Sequence, residues 1–106
     1  MPGPHPYPDA VASFVARAKA RYTRHIDQVF LFGSVARKEA RKDSDIDLLV
    51  LWKGDLDEGW RAMAGIAFDI LLETGTYISV KVMRSGGLTG KTAFERNVMA
   101  EGMTVA

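Results

Sequence analysis

The sequence predicts a small layered α/β domain in which helices pack on a sheet, and three observations support this fold class. Apolar residues recur at helical spacing in two segments, which predicts amphipathic helices. Short, almost wholly apolar runs lie between the helical segments and are typical of buried strands. The chain has 106 residues, 47% of them hydrophobic, so it is long enough for one compact core and too short for two.

The N-terminal part of the chain predicts a lead-in and a first helix. The first eight residues, MPGPHPYP, contain all four prolines and offer little to bury. We therefore interpret residues 1–8 as a flexible lead-in and residues 9–106 as a single domain. Asp9 is suited to cap the first helix. The helix itself is indicated by an apolar stripe: Val11, Phe14, Val15, Ala18 and Tyr22.

Three strands and a basic helix are predicted from short runs of sequence. The strands correspond to QVFLFG, DIDLLVLW and YISVKVM. The first strand ends at Gly33, and the run SVARKEARK then predicts a short basic helix that connects it to the second strand.

Two later helices are predicted from their end signals. Asp55 and Thr92 are each followed three residues later by glutamate, Glu58 and Glu95, which resembles a capping box. The helix that begins after Asp55 is long, and the helix that begins after Thr92 is short and follows the glycine-rich loop RSGGLTG. Both helices end near a glycine, Gly75 and Gly102. The complete order is helix, strand, helix, strand, helix, strand, helix.

Composition narrows the classes of function. The net charge of +1 provides no overall field for binding nucleic acid or an anionic membrane, so any basic patch is local. There is no cysteine, so disulfides and thiolate metal sites are excluded. No apolar run approaches the ~20 residues of a membrane span, and the N-terminus does not have the pattern of a secretory signal. We therefore expect a cytoplasmic protein.

Two aspartates lie two residues apart at the start of the second strand. Side chains alternate along a strand, so Asp45 and Asp47 point to one face, and Ile46 and Leu48 point to the core. Carboxylates about 7 Å apart can converge on a hard divalent ion such as Mg²⁺, which commonly shares its coordination shell with substrate phosphates. The alternative is a solvent-exposed strand face on which aspartate is tolerated. The pair alone leaves both interpretations open.

The residues before the aspartates favour the first interpretation. Gly33 permits a bend at the end of the first strand, and the helix that begins at Ser34 presents unpaired N–H groups and a hydroxyl to a phosphate. Arg37, three residues later, could reach the same phosphates. Phosphate donors and metal ligands together are what transfer from a nucleoside triphosphate requires. Three further basic residues are interpreted as a solvated helix face: Lys38, Arg41 and Lys42.

These residues resemble the signature of the polymerase beta-like nucleotidyltransferase superfamily, and the order of elements is similar to its minimal nucleotidyltransferase (MNT) branch. The matching motif, from Phe32 to Val50, comprises Gly33-Ser34, Arg37 and the run Ser44-Asp45-Ile46-Asp47-Leu48. The final segment, ERNVMAEGMTV, is similar to the closing helix of many such domains. The resemblance implies a small mixed sheet flanked by helices, Mg²⁺ on Asp45 and Asp47, and a triphosphate on the Gly-Ser turn. It also implies in-line attack by a hydroxyl on the α-phosphorus and loss of pyrophosphate.

The sequence departs from the family pattern at two places. Lys38 replaces the glycine that commonly follows the arginine. Active members also provide a third carboxylate from the strand after the long helix, whereas the positions of YISVKVM that could face the site are Ser79 or Lys81. Without that acid we expect a lower rate of transfer, while nucleotide binding could persist. Glu73 could substitute, but its position favours a residue on the helix surface.

Several other residues are interpreted as structural. His5 and His25 have no partners at ligand spacing, and Trp52 and Trp60 are interpreted as core or interface anchors. The run SGGLTGK resembles a phosphate-binding loop in composition but has Ser85 in place of its first glycine. We therefore interpret it as a loop followed by a helix cap.

Two hypotheses of function from different classes follow. The first is a Mg²⁺-dependent nucleotidyltransferase that moves AMP from ATP to a hydroxyl. MNT domains commonly occur as antitoxins beside a HEPN-domain toxin, so the resemblance implies a hydroxyl on such a protein partner. The second, motivated by the missing third acid, is a catalytically weak nucleotide-binding module that neutralises the partner by binding it. A third, direct nucleic-acid binding through the basic helix, is disfavoured by the near-neutral charge.

Overall fold

The computed structural model describes residues 8–32 and 46–106 of the chain. Its elements are α1 (Asp9–Tyr22), β1 (Ile26–Phe32), β2 (Ile46–Trp52), α2 (Leu56–Thr74), β3 (Ile78–Arg84), α3 (Ala93–Glu101) and β4 (Met103–Thr104). The predicted order of helices and strands is confirmed for these residues, and β4 is an additional short strand. The predicted basic helix SVARKEARK and residues 1–7 of the predicted lead-in lie outside the described residues.

The four strands form one mixed sheet in the order β3-β2-β1-β4. β2 runs parallel to β3, whereas β1 is antiparallel to both β2 and β4. The parallel pair is possible because the long helix α2 carries the chain back from the end of β2 to the start of β3. The predicted α/β class with a mixed sheet flanked by helices is therefore confirmed.

The sheet has two covered faces of unequal size. Helices α1 and α2 pack on one face, where Phe14, Met63 and Ile70 join alternate strand residues in the main core. Helix α3 packs on the other face over a smaller cluster that contains Leu49, Leu51 and Val98. Within the described residues, no helix combines the length and the apolar character needed to cross a membrane.

The predicted ends of α2 and α3 agree with the structure, whereas the predicted cap of α1 does not. Asp55 accepts a hydrogen bond from the backbone N–H of Glu58, and Gly75 ends α2 with a φ of 77°, which is accessible to glycine at little cost. Thr92 likewise accepts from the N–H of Glu95 at 3.1 Å. The prediction that Asp9 is an N-cap was wrong. Pro8 holds that position without a side-chain cap, and Asp9 is the first helical residue, where its negative charge still suits the helix dipole.

The indole of Trp52 is fully buried under α2, which explains a glycine in that helix. A Cβ atom built on Gly59 would lie 2.8 Å from two atoms of the Trp52 indole, closer than carbon atoms can approach. On its other side the indole stacks on the ring of His25, with 4.7 Å between ring centroids. His25 Nδ1 donates to the carbonyl oxygen of Lys53 at 2.7 Å. Trp52 is a core anchor, as predicted, and His25 packs against it.

We expect Gly59→Ala to destabilise the protein, because the indole must shift to admit the new methyl group. The cost is about 1–3 kcal/mol, which outweighs the gain in helix propensity of about 1 kcal/mol. Gly65→Ala, in the same helix, is the matched control, since nothing lies within 4 Å of its Cβ position. It should gain up to about 1 kcal/mol. Urea denaturation of both variants measures the difference, and equal stabilities would contradict the close contact with Trp52.

Candidate functional site

Asp47 lies where β1 ends and where β2 and β3 begin. It is directly opposite Phe32, the last residue of β1, and directly opposite Ser79 of β3. Asp47 is partly buried and takes part in an interaction, so it is not a freely solvated surface residue. Asp47 is thus positioned by three neighbouring strands at one end of the sheet.

The strand pattern places Asp47 on the face of the sheet that α3 covers. Ile46 and Leu48 lie in the main core under α1 and α2, whereas Leu49 and Leu51 lie in the smaller cluster on the opposite face. Asp47 shares the direction of the latter two because side chains alternate along a strand. The predicted division between an aspartate face and a core face is confirmed at Asp47.

The segment between β1 and β2 carries the other predicted site residues. Gly33, Ser34, Arg37 and Asp45 lie outside the described residues. The described residues on either side of this segment are Phe32, which immediately precedes Gly33, and Ile46, which immediately follows Asp45. Phe32 and Asp47 are register partners, so the described positions that flank the segment lie side by side in the sheet.

β3 contributes no carboxylate at the positions beside Asp47. Ser79 is its direct neighbour in the parallel pairing, and Lys81 is the neighbour of Leu49. Both share the face of Met83, which belongs to the α3 cluster, so both face the same side as Asp47. The expectation that the strand after the long helix provides serine and lysine in place of an acid is confirmed for these positions.

Glu73, the residue considered as a substitute for the third acid, forms an ion pair with Arg17. Its carboxylate forms a two-pronged ion pair with Arg17 of α1, with oxygen-to-nitrogen distances of 2.6 and 2.9 Å. The hydrogen bonds from the Arg17 guanidinium hold the pKa of the Glu73 carboxyl below its usual range. Because α1 and α2 cover the face opposite Asp47, Glu73 is a helix-surface residue, as its position favoured, and does not provide the third acid.

Glu95 is a buried carboxylate whose oxygens are used to hold the glycine-rich loop. Oε1 accepts from the backbone N–H groups of Thr89 and Gly90, at 2.9 and 3.1 Å, and Oε2 accepts from the Thr92 hydroxyl. These bonds, that from Thr89 above all, lower the pKa of the Glu95 carboxyl. The N–H groups of Thr89 and Gly90 therefore bind the Glu95 carboxylate rather than a phosphate. This confirms the interpretation of the run SGGLTGK as a loop followed by a helix cap.

Two aromatic rings and a lysine contact one another on the α3 face, the side of the sheet to which Asp47 points. The rings of Phe32 and Phe94 meet edge to face with 5.4 Å between centroids. The Lys81 ammonium lies 5.2 Å from the centroid of the Phe94 ring, which is within the range of a cation–π contact. Sequence reasoning did not identify Phe94, and it noted Lys81 only as a residue that is not an acid. The period-2 spacing of Ser79 and Lys81 was the signal that both face the site.

The oxygen atoms that surround Asp47 determine whether this site suits a metal ion. The Asp47 carboxylate is the hard oxygen ligand that Mg²⁺ prefers, and Ser79 offers a neutral oxygen beside it. Among residues 8–32 and 46–106, no group of three or more His, Cys, Asp or Glu side chains could hold a metal. A Mg²⁺ site therefore fits Asp47 when Asp45 provides the second carboxylate and phosphate oxygens complete the shell.

A second feature lies on the opposite side of the sheet, between α2 and β3. It is a groove of about 230 Å³ whose lining residues are aliphatic or aromatic and include Trp60, Ala64, Phe68, Leu71, Tyr77 and Val80. The side chains of Trp60, Phe68 and Tyr77 are unusually exposed for large apolar groups. Of the two tryptophans predicted to be core or interface anchors, Trp60 is thus the one that faces outward.

Comparisons with known proteins agree with this geometry. The family model described as polymerase beta nucleotidyltransferase matches residues 17–105. A protein of Methanocaldococcus jannaschii with the provisional name of protein adenylyltransferase is 34% identical over 96 residues, which cover 88% of this chain and 91% of the relative.

Two solved structures share the fold. A toxin–antitoxin crystal structure with AMP-PNP superposes with a TM-score of 0.59 at 17% identity, covering 88% of this chain and 70% of the other. A toxin–antitoxin structure of an MntA-HpeT mutant superposes with a TM-score of 0.57 at 18% identity, covering 87% and 68%. The family match over most of the chain, the identity to a relative along nearly its full length and the mixed sheet lead to one conclusion. This chain belongs to the polymerase beta nucleotidyltransferase family.

Proposed function

We propose that this protein is a Mg²⁺-dependent adenylyltransferase that transfers AMP from ATP to a hydroxyl of a protein partner, as the antitoxin of a toxin–antitoxin pair. The observation that carries the proposal is the position of Asp47, on the α3 face and directly opposite Phe32, the residue that precedes Gly33 in the sequence. The name of the archaeal relative supports adenylyl transfer to protein, and the names of the fold neighbours support the toxin–antitoxin setting.

The residues divide the chemistry in the following way. Asp45 and Asp47 would hold Mg²⁺, which when bound neutralises charge on the reacting phosphates. Gly33, Ser34 and Arg37 would bind the outer phosphates through backbone N–H, hydroxyl and guanidinium donors. The acceptor oxygen forms a bond to the α-phosphorus, the bond from that phosphorus to the bridging oxygen breaks, and pyrophosphate leaves. Neither Ser79 nor Lys81, the β3 residues beside Asp47, offers a carboxylate for the acceptor proton, so on this proposal the proton passes to water or to another base, such as one of the partner.

The lack of a carboxylate at the β3 positions beside Asp47 supports a second candidate function. With no acid on β3 at these positions and with Glu73 paired to Arg17, the domain could bind nucleotide and neutralise a HEPN-type partner without turnover. An assay with ATP labelled on the α or the γ phosphate separates the two. Label that reaches the co-purified partner from the α position alone supports adenylyl transfer. No transfer while the partner still binds supports the neutralising module.

The apolar groove between α2 and β3 supports a protein partner, because water-exposed aromatic groups of this size favour burial against another protein. We expect Phe68→Glu to weaken partner binding about 100-fold or more, since it places a charge in the centre of an apolar contact. Met99→Glu is the matched control, as Met99 lies outside the groove on α3 and is 58% exposed, against 57% for Phe68.

Pull-down and calorimetric titration with the partner measure the effect. Loss of binding in Phe68→Glu alone places the partner on the groove. Loss in Met99→Glu alone would place it on the α3 side and contradict the assignment.

A further inference from the structure

The α3 face carries a positive charge that the proposed chemistry has not used. The side chain of Lys81 is exposed, and its ammonium group lies over the ring of Phe94. Phe94 in turn contacts Phe32, the register partner of Asp47. These contacts hold the positive charge on the Asp47 side of the sheet.

The register shows that Lys81 can reach the surroundings of Asp47. Lys81 neighbours Leu49, two residues beyond Asp47 on the adjacent strand, so the Cα atoms of Lys81 and Asp47 are separated by about 8 Å. The four-carbon side chain of Lys81 is long enough to bring its ammonium group across much of this distance on the face that both residues share. A ligand bound at Asp47 therefore lies within reach of Lys81.

The charges of the site indicate which ligand group would meet the lysine. The carboxylate of Asp47 is negative and the ammonium of Lys81 on the adjacent strand is positive, where a third acid would have made the site more negative. A triphosphate is the anion that the proposed function brings to this place, and lysine binds phosphate as a compact point charge.

We propose that Lys81 contacts the phosphates of the bound nucleoside triphosphate, and that Phe94 positions its ammonium group. The inference rests on the proposed nucleotide site but not on turnover. In ATP binding, Lys81 thereby neutralises part of the negative charge of the phosphates. In a more acidic site, metal ions alone would have to neutralise that charge.

Equilibrium binding of a fluorescent ATP analogue, with and without Mg²⁺, tests the contact. Lys81→Met keeps an apolar stem over Phe94 and removes the charge, and it should weaken binding about tenfold, the loss expected for one hydrogen bond to a charged group. Lys81→Arg should restore most of the affinity. Lys53→Met is the matched control, because it removes the same charge from the residue that follows β2, about 20 Å along the strand direction from Asp47.

Competition distinguishes a contact with the phosphates from a contact with the nucleoside. Tripolyphosphate should displace the analogue less well from Lys81→Met than from the wild type, whereas adenosine should compete equally well with both. An equal loss in Lys53→Met, or unchanged affinity in Lys81→Met with unchanged thermal stability, overturns the inference. If the wild type binds the analogue but transfers no label, the proposed transferase function fails while the Lys81 contact stands. If the wild type binds no nucleotide, both fail.

Discussion

Asp47→Asn is expected to reduce label transfer from α-labelled ATP to the partner at least ~100-fold, because the amide keeps the shape of the side chain and removes the negative charge that a metal ligand needs. Charge stabilisation by a bound metal is worth several kcal/mol of barrier, and each 1.36 kcal/mol is about a tenfold change in rate. The assay measures transfer per mole of protein at saturating ATP with the co-purified partner.

The matched control is Asp69→Asn, which changes the same functional group on α2, at the face opposite Asp47. Asp69 is only weakly paired, at 4.0 Å from Arg21, so its loss should leave transfer and folding unchanged. Urea denaturation verifies that both variants are folded. Transfer by Asp47→Asn at the wild-type rate would refute the role of this carboxylate, and so would equal losses in the two variants.

Ser79→Asp is expected to raise the rate of transfer by about 100-fold or more. Ser79 is the direct neighbour of Asp47 across the parallel pair and faces the same side, so an aspartate there could accept the proton of the attacking hydroxyl. General base catalysis contributes typically about 10²–10⁴-fold, which sets the scale of the gain. Steady-state rates with varied acceptor concentration measure it.

The control variant Ser79→Asn separates the effect of the new charge from the effect of the larger side chain. Asparagine has nearly the same shape as aspartate but cannot act as a base. Ser79→Asn should therefore show no gain. A rise in both variants would point to an effect of size rather than of base catalysis. An unchanged rate in Ser79→Asp would show that the proton is already accepted by another group, such as one of the partner, or that proton transfer does not limit the rate.

Local patterns were sufficient to predict most of the helices and strands. The 3.6-residue apolar stripe identified α1, and the capping residues Asp55 and Thr92 identified the starts of α2 and α3. Hydrogen bonds between residues three apart are encoded within a few positions of sequence, so they can be read without the fold. The two residues of β4 were missed because their pairing with β1 is a contact between distant segments.

The candidate site was predicted only in part. The alternation rule placed Asp47 on the face opposite Ile46 and Leu48, and the structure agrees. Asp45, Gly33, Ser34 and Arg37 remain predictions, since they lie outside the described residues.

The sequence by itself determined the three described helices, the three longer strands, the caps of α2 and α3 and the presence of a Gly-Ser and Asp-x-Asp signature, because each depends on residues close together in the chain. Only the tertiary structure decided which residues meet across elements. Arg17 and Glu73 form an ion pair although they are 56 positions apart in the sequence. Asp47 meets Ser79 only because β2 and β3, which α2 connects, pair in parallel in one particular register. The same holds for Lys81 over Phe94. Such contacts depend on how whole elements pack, and no local pattern of side chains specifies that packing.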